Sequence, residues 1–376
     1  MRVREAAAFV TGLVALVTGC SLGTGGEGPS VTSTAPRPPR VLHADAGGAV
    51  VFDPAAATIS GVDRVRGRIW QDREISETAT DIMCLARCPA VVVSTSQAEI
   101  PPSPAVDASR DGAAAPFQLT AQGRAPFPVS GTARVLTAVS PGDTVVEEVA
   151  GGRTWITIVR PGGRERIAVP HSGYRWVEAA DRSAALAFST RPDARDGRLL
   201  RFAREPDGWK QVGEGLQWGP ITDACLAGHG ETALVTGAET ALVRWSSGRV
   251  PVDRALAEAG ECALGTGVAA LISRAVSVQG DHRTVVYGLD PTGRSTWRRE
   301  FAAEVGVTAH PSEPYLGISD GRTFALVDAR GETVWTRDAV TAARFTSDGQ
   351  LVVVAPDGEV RWLPADLIGK ANAESP

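Results

Sequence analysis

Three stretches of the chain carry one pattern, and it limits the fold more than any other feature of the sequence. VDRVRGRIWQDR, LDPTGRSTWRRE and VDARGETVWTRD each place an Asp seven residues before a Trp: Asp63 and Trp70, Asp290 and Trp297, Asp328 and Trp335. A glycine stands between them each time, at Gly67, Gly293 and Gly331. Physically this is a hairpin: an apolar strand, an Asp and a Gly that turn the chain, and a returning strand whose Trp packs outward. A bulky indole shared by successive units lets stacked sheets bury their faces against each other. Segments elsewhere alternate and are rich in β-branched residues, as in TWITIVR, TALVRWS, RTVVYGL and QLVVVAP, which is strand patterning. Turn signals such as SerAspGly at 347–349 and ProGlyGly at 161–163 separate them. Only DRALAEAG, residues 253–260, has any helical character.

These stretches resemble the repeats of quinoprotein-like (PQQ-like) β-propellers, which are related in pattern to WD40 blades. The resemblance implies an all-β fold of four-stranded antiparallel blades, with repeats of about 40–50 residues. Phased accordingly, the units are 41–75, 79–131, 133–173, 174–217, 220–257, 260–303, 305–339 and 340–364. Even spacing and the recurring Trp favour this over a tandem of β-sandwiches. The last unit, TAARFTSDGQLVVVAPDGEVRWLP, supplies only three strands. Either the chain near residue 41 donates the fourth, giving eight blades, or the first unit is partly a closure strand, giving seven. Unit 41–75 aligns along its length with 305–339, which favours eight.

The first 20 residues, MRVREAAAFVTGLVALVTGC, place Arg2 and Arg4 before an apolar run from Ala6 to Val17. That run is too short for a membrane span, which needs roughly 20 residues, but it suits the core of a signal peptide. Val17-Thr18-Gly19-Cys20 resembles the lipobox of bacterial lipoproteins. The resemblance implies cleavage before Cys20 and a diacylglycerol on its thiol, with acyl chains of the palmitate type holding the protein at a membrane. The expected organisation is a signal peptide at 1–19, the lipidated Cys and a Gly/Ser/Thr/Pro tether at 20–40, a propeller at 41–367 and a disordered tail at 368–376. A tether of that length reaches roughly 25 Å. It contains a formal GxGxxG at 23–28, without the strand and helix that a dinucleotide site requires. Cys84, Cys88, Cys225 and Cys262 remain, an even number that suits an exported protein. Cys84 and Cys88 are expected to form a local disulfide, with free thiols as the alternative. The phasing sets Cys225 and Cys262 on the first strands of successive units, where a bridge is within reach.

Net charge of −5 and a pI near 5.7 argue against a nucleic-acid partner. Gly317-Ile318-Ser319-Asp320-Gly321 matches GxSxG but lies between two strands, where the strand-to-helix elbow of a hydrolase cannot form. The five histidines are scattered and no zinc spacing occurs. No catalytic, cofactor-binding or metal-binding residue is therefore assigned, and none of the site motifs of quinone-cofactor dehydrogenases can be matched. The phasing gathers His171, Tyr174, Trp176, Trp218, Arg195, Arg198, Arg283 and Arg322 on one loop face, together with a long insertion at 97–116. Aromatics with arginines are the usual chemistry of interaction hot spots. The expectation is an extracytoplasmic, lipid-anchored propeller that binds or scaffolds another envelope protein or a surface ligand without chemistry. The alternatives are a cofactor-dependent oxidoreductase or lyase using the funnel, and a ligand-sensing subunit of a membrane protein.

Overall fold

A computed structural model describes residues 38–73, 75, 80–95, 115–129, 133–191, 197–253, 256, 259–276 and 282–364. Their strands form eight antiparallel sheets that follow one another along the chain, at 40–72, 80–126, 134–169, 174–217, 221–251, 261–301, 306–338 and 342–363. We call these blades 1 to 8. Blades 1 to 7 each hold four strands in consecutive order, and blade 4 adds the short Leu216–Gln217 beside its third strand. Blade 8 has three strands among the described residues. The fold is thus an eight-bladed β-propeller. Arg40–Ala44 belongs wholly to blade 1, where it pairs with Gly48–Asp53. The chain near residue 41 therefore does not donate a fourth strand to blade 8, and the ring closes by packing instead. Among the described residues, no helix is long and apolar enough to cross a membrane.

The core is divided among eight apolar clusters, one at each interface between neighbouring blades. Each blade is apolar on both faces because both are covered, which explains the near-continuous burial of second strands such as Ala184–Ser189. The last interface carries the closure. Val41, Ala49 and Val51 of blade 1 pack on Ala342, Val352 and Val354 of blade 8. The Trp362 indole N–H donates to the Asp45 carbonyl across the same seam, at 3.1 Å.

The Asp–Trp repeat is a bulged hairpin between third and fourth strands. Asp63 Oδ1 accepts the N–H groups of Val65 and Arg66, and Asp290 and Asp328 hold their own turns in the same way. A register shift follows in all three, beside Gly61, Gly288 and Leu326. Trp70 lies flat across Gly61, and Trp297 across Gly288. A Cβ at either glycine would stand 2.2 or 2.0 Å from the indole. The indole N–H then reaches the next blade, from Trp70 to Pro89 O (2.9 Å) and from Trp297 to Ala329 O (3.2 Å). The third repeat departs from this, since Leu326 rather than a glycine faces Trp335.

Candidate functional site

Each blade begins with its innermost strand: Arg40–Ala44, Thr80–Cys84, Arg134–Ser140, Tyr174–Glu178, Ile221–Leu226, Glu261–Gly265, Gly306–Ala309 and Ala342–Phe345. All eight contribute residues to the wall of one central channel of about 960 Å³. We call the face where these strands begin the upper face and the other the lower face. Five arginines and His43 line the channel against three carboxylates, Asp45, Glu178 and Glu304. The channel is therefore cationic in a chain whose net charge is −5.

The three carboxylates are occupied. Asp45 accepts the N–H groups of Gly47, Gly48 and Cys88. Glu178 accepts from the Thr137 hydroxyl and the Trp176 indole, and lies 3.6 Å from the Arg182 guanidinium. Glu304 pairs with Arg274 at 3.5 Å. Arg182, at a left-handed φ of 56° in the lower loop of blade 4, also donates to the Leu85 and Ala86 carbonyls of blade 2. Arg344, on the inner strand of blade 8, projects into the channel, where it is solvent-accessible yet enclosed by protein. No carboxylate among the described residues reaches it, and this enclosure lowers its pKa. His43 stands on the neighbouring inner strand and bonds to the Ile82 carbonyl of blade 2 at 2.6 Å. A carbonyl only accepts, so Nε2 carries the proton and Nδ1 keeps its lone pair. Burial, then the charges of Arg344 and Arg182, push the His43 pKa down to about 4 despite the Ile82 bond.

A second ionic group joins three blades near the upper face. Arg134 of blade 3 is 4% exposed and donates to Glu147 of its own blade and Asp81 of blade 2, each at 2.6 Å, and to the Tyr174 carbonyl of blade 4. Glu147, 3% exposed, also accepts the N–H groups of Gly173 and Tyr174. Burial alone would lower the Arg134 pKa, but the two carboxylates outweigh it and raise it. This group ties blades 2, 3 and 4 together, with Arg134 and Glu147 buried and Asp81 33% exposed.

Both expected disulfides are formed. Cys84–Cys88 closes a lower loop of blade 2, and Cys225–Cys262 joins the inner strands of blades 5 and 6, with Cα atoms 5.1 and 6.0 Å apart. Asp223 lies beside the second bridge and accepts the Cys262 N–H at 3.2 Å. Its carboxylate comes within 4.8 Å of both sulfurs, but these are bonded to each other, so the trio offers a metal no thiolate. Burial pushes the Asp223 pKa up to about 6, against the opposing charge of Arg175. A carboxyl whose pKa is higher folded than unfolded favours the folded state below about pH 4, and that contribution is lost as pH rises through 6. Asp223→Asn keeps an acceptor for Cys262 N–H and removes the ionisation. The variant is expected to gain up to about 3 kcal/mol over the parent at pH 7.5 and only about 0.5 kcal/mol at pH 4. Urea melts at the two pH values measure it, and an equal difference at both would refute it.

The loop face expected from the sequence is only partly assembled. Arg198, Arg283 and Arg322 are exposed at the upper face of blades 4, 6 and 7, although Arg283 also pairs with Glu300 at 2.5 Å. His171 is half-buried in the loop before blade 4. Three aromatics are not surface residues. Tyr174 is 0% and Trp218 2% exposed, both within apolar clusters between blades. Trp176 packs on Phe202 and Trp209 and turns its edge to the channel wall. These residues open inner strands or close outer ones, where covering the blade ends demands large side chains. Arg195 and most of the 97–116 insertion lie outside the described residues.

No protein-family model matches the chain, and no curated protein matches it either. Among solved structures, the Kuenenia stuttgartiensis hydrazine synthase matches with a TM-score of 0.42 and 11% identity, over 90% of this chain and 98% of that one. Sqt1 from Chaetomium thermophilum gives 0.42 and 14%, over 75% and 80%, and TolB from Acinetobacter baumannii 0.36 and 11%, over 68% and 60%. Likenesses this distant say nothing of what the chain binds or does.

Proposed function

We propose that the protein is an extracytoplasmic lipoprotein, anchored to a bacterial membrane through Cys20, whose propeller is a non-catalytic platform for an envelope protein or surface ligand. One observation carries the platform reading: exposed arginines from three blades, Arg198, Arg283 and Arg322, stand on one face of a ring whose blades are joined at every interface. Rigid scaffolds that present loops are the usual setting for recognition. The use of all four cysteines after Cys20 in disulfides supports an oxidising compartment. The leader and Val17-Thr18-Gly19-Cys20 support the anchor.

Reversal of the three charges, in Arg198→Glu, Arg283→Glu and Arg322→Glu together, is expected to abolish recovery of a specifically crosslinked partner from intact cells. The melting temperature should not change, because side chains this exposed add little to stability. Undiminished crosslinking would remove this face from the reading. The ligand-sensing alternative is favoured by a separate observation, the cationic channel.

A further inference from the structure

We propose that the channel is an anion-binding site, in which Arg344 and His43 hold a small ligand bearing carboxylate or phosphate oxygens. Three observations converge. First, Arg344 has no acidic partner among the described residues, whereas Arg182 and Arg274 of the same channel pair with Glu178 and Glu304. Arg344 is exposed to the solvent of the channel, and an unpaired guanidinium on the wall of a cavity is placed to meet an anion. Second, His43 stands beside it on the adjacent inner strand, with Nε2 fixed by the Ile82 carbonyl and Nδ1 free to take up a proton. Third, the space is there: at about 960 Å³ the channel accommodates a ligand of cofactor or metabolite size.

Selectivity follows from the groups around the pair. Arg344 from blade 8 and Arg182 from blade 4 act on His43, and Glu178 of blade 4 and Asp45, next after its own strand, line the same channel. Glu178 and Asp45 are already tied to Thr137, Trp176 and backbone N–H groups. The net field at the pair is positive, so a neutral ligand or a cation is disfavoured. Guanidinium and imidazolium together match an oxyanion with charge-assisted hydrogen bonds. In the free protein at pH 7 His43 is neutral, held there by burial and by the neighbouring guanidiniums. An anion seated against it reverses that balance, and the imidazole takes up a proton on Nδ1. Affinity therefore rises as pH falls from 7 and levels off near 4, where the unliganded His43 is also charged.

The site is independent of the anchor and of the upper loop face, so a failed lipidation or crosslinking experiment does not bear on it. The test is isothermal titration calorimetry of the full chain at low ionic strength, with inorganic phosphate and citrate as separate probes. Measurements at pH 6 in two buffers of different ionisation enthalpy count the protons taken up, and the same count on His43→Gln subtracts the probe's own ionisation. The expected result is saturable one-to-one binding of at least one probe with proton uptake. Saturation by phosphate alone assigns a phosphoryl ligand, and by citrate alone a carboxylate ligand. Arg344→Gln should weaken binding at least about tenfold and leave the melting temperature unchanged, because the side chain is exposed to the channel solvent. His43→Gln should take up fewer protons than the parent with the same probe, the difference being the proton on Nδ1. The proposal is overturned if neither probe saturates, or if Arg344→Gln binds as the parent does. A lower melting temperature for Arg344→Gln would also overturn it, by showing that Arg344 serves the fold.

Discussion

Arg134→Met is expected to cost about 3–5 kcal/mol of folding stability. The reason is what it leaves behind. Glu147 is 3% exposed and would stay buried, keeping only the Gly173 and Tyr174 N–H groups as partners. Asp81, at the start of blade 2, would lose its cation as well. Because one guanidinium joins blades 2, 3 and 4, the loss should appear as loosening of three neighbouring blades rather than of one strand. Denaturant melts give the magnitude, and hydrogen exchange gives the location. Arg134→Met with Glu147→Gln should recover much of the loss, since the uncompensated charge is then gone. As a comparison, Arg283→Met removes an equally short contact, to Glu300, but an exposed one. Its melting curve should overlay that of the parent.

Gly61→Ala is the second large effect. The added methyl would stand 2.2 Å from the Trp70 ring, far inside contact distance. Trp70 cannot retreat, because it is buried in the cluster between blades 1 and 2 and its N–H is held by Pro89 O at 2.9 Å. The strain and the lost indole bond together should cost about 3 kcal/mol. Gly288→Ala is expected to do the same to Trp297, which is confined on its other side by Gly331 of the next blade. Gly61→Ala combined with Trp70→Leu should lose less than the two single changes summed, which a double-mutant cycle reads directly. Additive losses would mean that the glycine is there for some reason other than the indole.

How far the sequence led depended on whether a signal was local. The Asp, the Gly and the Trp of the repeat all act within one hairpin, so their spacing announces the blades, and every sheet falls inside the unit phased for it except that blade 1 starts one residue early, at Arg40. The Cys225–Cys262 pairing followed once inner strands were counted. Ring closure by Trp362 did not, because it stands five residues after Asp357 and outside the pattern, and its partner Asp45 is 317 residues away. Tyr174 and Trp218 were misplaced because an aromatic beside a Gly or Pro in a connecting stretch looks the same whether it caps a blade or faces solvent. Burial of both between blades 3, 4 and 5 decides the matter, and no short window contains that information. The channel pair was the least visible. His43 in VLHA and Arg344 in AARF carry no motif and lie at opposite ends of the chain. Only the seam between blades 8 and 1 brings them together. A charged residue in an innermost strand does not single the pair out, because Asp81, Arg134, Arg175, Glu178, Asp223 and Glu261 stand in such strands too.

We propose that a lipid on Cys20 holds the propeller at a membrane. Mass spectrometry of the protein extracted gently from its own membranes tests it most directly, read on the N-terminal peptide and on the intact complex. The expected result is a chain that begins at Cys20 and carries a diacylglycerol mass there, with a partner protein retained in the native spectrum. A chain that still bears residues 1–19, or an unmodified Cys20 in a protein recovered free of membranes, would contradict it.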